Sequence, residues 1–103
     1  MKKIYKNIAL KYASILNKNG INVDAMYLFG SRIKGTNTKY SDLDTCIVSK
    51  NFGKDKIKNT ADLYFYTKNA SPMIEPHPFS PTDFNDKSND FAKEIQRTGI
   101  QII

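Results

Sequence analysis

Two short apolar segments, 23–29 and 42–48, flank a largely polar stretch that opens on Gly30-Ser31 and ends at Ser41, immediately before Asp42-Leu43-Asp44. Each segment has the length of a strand, 23–29 through Val23, Met26, Tyr27, Leu28 and Phe29 and 42–48 through Leu43, Ile47 and Val48, and neither can exist unpaired. Residues 31–35 suit one helical turn stopped by Gly35, and the polar run 36–41 reads as a loop. An antiparallel pair is expected, although the sequence does not fix the direction, with a glycine closing the first strand and carboxylates opening the second.

The rest of the chain supplies what such a pair needs in order to be covered. Tyr5, Ile8, Ala9, Tyr12, Ile15 and Leu16 recur at helical spacing, which predicts a helix over 3–18 ended by Asn19-Gly20. Residues 54–68 fit a helix through Ile57, Ala61, Leu63 and Tyr64, although Leu63-Tyr64-Phe65-Tyr66 alone would also suit a strand. Length favours the helix. Residues 72–79 carry three prolines, and proline disfavours the helical region for the residue before it, so Glu75 and His77 are expected to be extended. Ser80 to Phe84 reads as a turn, 88–97 as a final helix, and Ile100 to Ile103 as a last short strand. The alternation implies an α+β fold, a small mixed β-sheet backed by helices. At 103 residues a single domain spanning 1–103 is expected.

Charge narrows the function classes only a little. Residues 1–60 hold 12 Lys and Arg against 4 Asp and Glu, while 61–103 hold 4 against 6. The basic first part favours an anionic ligand. Only Arg32 and Arg97 are arginines, and no nucleic-acid-reading motif accompanies the lysines, so nucleic acid is not an expected partner. No apolar run has membrane-spanning length, and Met1-Lys2-Lys3 is not followed by the apolar core of a signal peptide. The single Cys46 allows no internal disulfide. A cytoplasmic protein is the expectation.

Chemistry concentrates between Tyr27 and Val48. On a strand, Asp42 and Asp44 project to one face. Two such carboxylates repel unless a cation neutralises them, and hard oxygen donors suit Mg²⁺, with Mn²⁺ as an alternative ion. Gly30 lets the backbone turn sharply and a ligand come close. A helix beginning at Ser31 offers free N–H groups and a hydroxyl to a phosphate, with Arg32 and Lys34 adjacent. Each element alone is commonplace: Gly-Ser makes ordinary turns and helix caps, and Asp-x-Asp occurs by chance. A P-loop is excluded, because its Gly-x-x-x-x-Gly-Lys-Ser/Thr pattern is absent.

Taken together, apolar-apolar-Gly30-Ser31, ten residues and Asp42-Leu43-Asp44-Thr45 resemble the signature of the nucleotidyltransferase superfamily related to DNA polymerase β. Within it the stretch is most similar to the minimal nucleotidyltransferases of bacteria and archaea, with Arg32, Gly35 and Ser41 included in the match. The resemblance implies that Gly30, Ser31, Arg32 and Ser41 bind the nucleotide and that Asp42 and Asp44 are catalytic ligands of two Mg²⁺ ions. It also implies a third acidic residue on a later strand, for which Glu75 is the choice here and Asp62 the competitor. Glu75 departs from the family's usual aspartate, and Pro76 after it cannot donate to a sheet ladder. His77, two residues on, shares the face of Glu75 and could help a hydroxyl lose its proton, although a lone histidine between prolines is more often an edge residue.

The implied reaction transfers a nucleoside monophosphate from a nucleoside triphosphate, ATP above all, to a hydroxyl acceptor on a protein or small molecule. The alternative is a non-catalytic antitoxin or interaction module that binds a small helical HEPN-type protein partner. Either that partner or a homodimer would complete so short a chain.

Overall fold

The structure, a computed structural model, describes all of residues 1–103. The long amphipathic stripe near the N-terminus forms α1 (Lys3–Lys18), and the two motif strands form β1 (Ala25–Phe29) and β2 (Leu43–Val48) on either side of the single-turn helix α2 (Ser31–Lys34). Then come α3 (Lys56–Thr67), β3 (Ile74–Phe79), α4 (Pro81–Phe84), α5 (Asp90–Thr98) and β4 (Ile100–Gln101). The sheet order is β3-β2-β1-β4. β1 is antiparallel to both β2 and β4, whereas β2 and β3 run parallel, joined by the crossover through α3.

Local signals explain these boundaries. The Asp55 carboxylate accepts the Lys58 N–H at 3.0 Å and so caps α3, which settles the 54–68 ambiguity in favour of a helix. The Asn89 side chain caps α5 through the Ala92 N–H at 3.1 Å. The expected turn at 80–84 closes into a helical turn, because Ser80 Oγ accepts the Asp83 N–H and Pro81 occupies the first helical position. β1 starts two residues later than the apolar pattern suggests. Val23 N–H donates to Asn17 Oδ1 at 2.9 Å, tying that residue to the end of α1.

The sheet divides the core in two. One face (Met26, Leu28, Leu43, Ile47 and Ile74) is sealed by Tyr5, Ala9, Tyr12 and Leu16 of α1 and Leu63 of α3. The Tyr12 hydroxyl donates to the Leu63 carbonyl at 2.7 Å, which joins the two covering helices and satisfies a buried polar atom. On the other face, Cys46, Val48 and Phe79 pack under Phe84 of α4 and Ala92 and Ile95 of α5. That second cover is shorter, and the end of the face carrying Asp44 and Glu75 lies at its margin.

Candidate active site at the Gly30 turn

Gly30 ends β1 with φ +82°, in the region that side-chain-bearing residues avoid. A Cβ placed there would collide with the Asp44 carboxylate, with Oδ2 nearest and Cγ at 3.1 Å. Glycine is thus required twice, for the turn and for the space that Asp44 occupies. Asp44 pairs across the sheet with Phe29 on one side and Glu75 on the other, and Cys46 pairs with His77. Glu75 and His77, two apart on β3, face the same way as Asp44. One ligand atom from each of Asp44, Glu75 and His77 falls within a group spanning no more than 4.8 Å.

His77 Nε2 lies 3.2 Å from Asp44 Oδ1 and 3.8 Å from Glu75 Oε2. Its ring is held by Phe29 and Phe91, with centroids at 5.1 and 5.6 Å. The Glu75 carboxyl is pushed up to about 7, first by its hydrogen bond with Asp44, then by burial, then by the negative charges of Asp44 and Asp42. The Tyr64 phenol is also raised, by burial and then by the charges of Glu75, Asp42 and Asp44. These carboxylates suit a divalent cation: hard oxygen donors from two strands, half-exposed, with an unfavourable anionic pairing that a positive ion would relieve.

The Glu75-Pro76 departure carries no penalty in the ladder. Met73 O accepts the Leu43 N–H at 2.8 Å and Phe79 O accepts the Ser49 N–H at 3.0 Å. By strand alternation, Glu75 and His77 therefore also turn their backbone groups toward β2. Pro76 and Pro78 fall at the outward positions, where a missing N–H costs nothing and blunts the exposed edge. Asp62, the competitor, lies on α3 and pairs with Lys58 at 2.7 Å, away from the cluster.

The other residues singled out from the sequence take distinct places. Asp42 stands immediately before β2, exposed and outside the tight cluster, yet near enough to raise Glu75. Ser31 opens α2, half-buried. Arg32 is engaged by protein groups: Nε donates to Ser41 O at 2.7 Å and Nη1 to the Tyr5 hydroxyl at 3.1 Å. Ser41 Oγ in turn accepts the Thr38 N–H at 3.0 Å. Arg32 and Ser41 thus shape the loop that delivers Asp42 to β2.

His77 joins the cluster in the place that the sequence pattern assigns to Asp42, and its i, i+2 spacing from Glu75 was the available signal. A cleft of about 390 Å³ opens beside the cluster, lined by Glu75, His77, Tyr64, Thr60, Lys56 and Phe91 among others. Tyr64 and Phe91 carried no sequence signal beyond being aromatic on helices.

A mixed four-stranded sheet with a carboxylate-bearing strand behind a glycine turn defines the nucleotidyltransferase class of fold. Residues 11–103 match the family described as Polymerase beta, Nucleotidyltransferase, and the chain belongs to this family of transferase enzymes. It is 35% identical over 77 residues to a protein of Methanocaldococcus jannaschii provisionally named a protein adenylyltransferase, a match covering 66% of this chain and 52% of that protein. The chain thus spans about half the length of that curated relative.

Two solved structures share the fold. A crystal structure from Sulfolobus solfataricus, provisionally named a nucleotidyltransferase, aligns with TM-score 0.55 at 20% identity, covering 96% of this chain and 76% of that one. A toxin–antitoxin crystal structure with AMP-PNP aligns with TM-score 0.60 at 18% identity, covering 95% and 72%. No helix here is long and apolar enough to cross a membrane.

Proposed function

We propose that this chain transfers a nucleoside monophosphate, AMP above all, from a nucleoside triphosphate to a hydroxyl on a protein or small molecule. What carries this reading is the cluster of Asp44, Glu75 and His77 behind Gly30, whose missing side chain admits the Asp44 carboxylate. The acceptor oxygen forms a bond to the α-phosphorus, the bond from that phosphorus to the bridging oxygen breaks, and pyrophosphate leaves with the electron pair. Asp42, Asp44 and Glu75 are the residues to hold two Mg²⁺ ions, which when bound supply charge neutralisation on the phosphates and an activated acceptor oxygen.

The chain's own groups divide the remaining work. Gly30 and Ser31 present a turn without bulk and a hydroxyl to the phosphates. Arg32 and Ser41 serve the nucleotide site by fixing the loop before Asp42. His77, hydrogen-bonded to Asp44 and wedged between Phe29 and Phe91, stands where it can take the acceptor's proton. Positioning and electrostatics supply much of the rate in such a site.

Labelled ATP, Mg²⁺ and candidate acceptors test this directly. Label is expected to pass to an acceptor with the parent protein and not with the Asp42→Asn, Asp44→Asn double variant. Equal transfer by the two would overturn the assignment.

A second reading is supported by the fold-level likeness to a toxin–antitoxin structure with AMP-PNP. In it the chain is an antitoxin that binds a small helical protein of the HEPN type by surface contact alone. Partner binding that survives the double variant, with no label transferred, would favour it.

A further inference from the structure

α3 carries apolar residues on two sides, since Leu63 and Tyr66 pack inward on the core while others face out. Its inward side includes Asn59 and Thr67 beside Leu63. Its outward side carries Ile57, Ala61, Tyr64 and Phe65, one stripe at i, i+4, i+7 and i+8. Ile57 is 85% exposed and Phe65 58%. Single exposed apolar residues are ordinary, but a contiguous stripe marks a contact surface. Lys56, Thr60 and Tyr64 line both the hollow beside Ile57 and the cleft that holds Glu75 and His77, so the stripe runs into the candidate active site.

Charge selects the occupant. Lys54 and Lys56 stand at the N-terminal end of the helix, and at the other end Lys68 Nζ sits 3.9 Å over the Phe65 ring. The carboxylates of the helix itself are already engaged, Asp55 as its cap and Asp62 with Lys58. The negative charges of Glu75, Asp42 and Asp44 reach the stripe only at Tyr64, on its cleft side, away from Lys54 and Lys68. A second copy would bring the same lysines and the same net charge of +6, which opposes self-association.

We propose that the outward face of α3 docks an acidic amphipathic helix of a protein partner, its apolar side on Ile57, Tyr64 and Phe65 and its carboxylates toward Lys54, Lys56 and Lys68. The surface leads a bound protein to the cleft. That a hydroxyl of this partner is the nucleotide acceptor rests on the transferase reading above; the docking does not.

The test uses the full chain and a fluorescein-labelled designed helical peptide of about 20 residues, with leucines at i, i+3, i+4 and i+7 and flanking glutamates. The control peptide has lysines at the flanks. The glutamate peptide is expected to bind at least about tenfold more tightly by anisotropy. Ile57→Asp and Phe65→Ser are each expected to weaken it about tenfold, with circular dichroism and Tm unchanged.

Equal affinity for the two peptides, binding indifferent to both variants, or no binding would overturn the proposal. So would a dimer of the chain alone, seen by sedimentation and abolished by Ile57→Asp. Peptide binding without label transfer from ATP would leave this surface standing and remove the transferase reading. Transfer without peptide binding would do the reverse.

Discussion

The two faces of the sheet are built from neighbouring residues of the same strands, yet they are covered to different degrees. Under α1 and α3, Met26, Leu28, Leu43, Ile47 and Leu63 are fully buried, and the buried hydroxyls of Tyr12 and Thr45 are satisfied by the Leu63 and Leu43 carbonyls. Under α4 and α5, apolar cover reaches Cys46, Val48 and Phe79 and stops short of Asp44 and Glu75. One face maximises burial. At its margin the other holds two carboxylates close together, an arrangement that costs stability without a cation. The lesson is that a chain of this size concentrates its stabilising contacts on one side and accepts electrostatic strain on the other.

Asp44→Asn should separate the faces most sharply. Transfer is expected to fall by about a thousandfold, equivalent to ~4 kcal/mol, while the thermal midpoint of the metal-free protein, measured on the alkaline side of the Glu75 titration where that carboxylate is charged, rises because repulsion on Glu75 is relieved. A parallel loss of stability and activity would mean that Asp44 is structural. Leu63→Ala tests the sealed face: a loss of about 3 kcal/mol is expected from chemical denaturation, with unchanged activity per folded molecule.

Gly30→Ala stands between the two faces. It brings both a disfavoured φ and a collision with Asp44, and about 1–3 kcal/mol of destabilisation is expected together with weakened Mg²⁺ binding by calorimetry. If Gly30→Ala binds Mg²⁺ as the parent does, the close approach is not functional.

The smallest effect is in pH. Glu75 is raised from 4.5 to about 7 in the folded protein, so the native state binds more protons than the unfolded state between those values. The contribution is full below about 4.5 and is lost as pH rises through about 7. In EDTA the thermal midpoint should therefore decline across that window, modestly because Glu75 is partly exposed. Glu75→Gln should flatten the decline, and Mg²⁺ should restore stability most at the alkaline end. A slope unchanged in Glu75→Gln would assign it to other groups.

Much of the architecture was legible from periodicity. The α1 stripe, the two motif strands and the extended Pro-rich segment all follow from spacing and backbone restriction. The helical turn at 80–84 was not, because Ser80 and Pro81 serve a turn and a helix start equally well. At the candidate site, Gly30 and Asp44 were placed by the local pattern and Glu75 was named through the family resemblance, whereas the meeting of Glu75 and His77 with Asp44 depends on the parallel pairing of β3 with β2. Arg32 suggested a ligand contact from its sequence position. Its hydrogen bonds to Ser41 and Tyr5 depend on α1 lying beside the loop, a packing relation that no local pattern encodes.

By itself, the sequence determined which residues can turn, extend or coil, and so placed a glycine at the end of one strand and carboxylates at the head of the next. Those are local consequences of steric restriction and of a two-residue or 3.6-residue repeat. Only the tertiary structure decided that Asp44 fills the space left by Gly30, that Glu75 and His77 meet it across a parallel register, and that α3 turns Ile57 and Phe65 outward. These depend on which elements pack together, and that is set by burial summed over the whole chain rather than by any single segment.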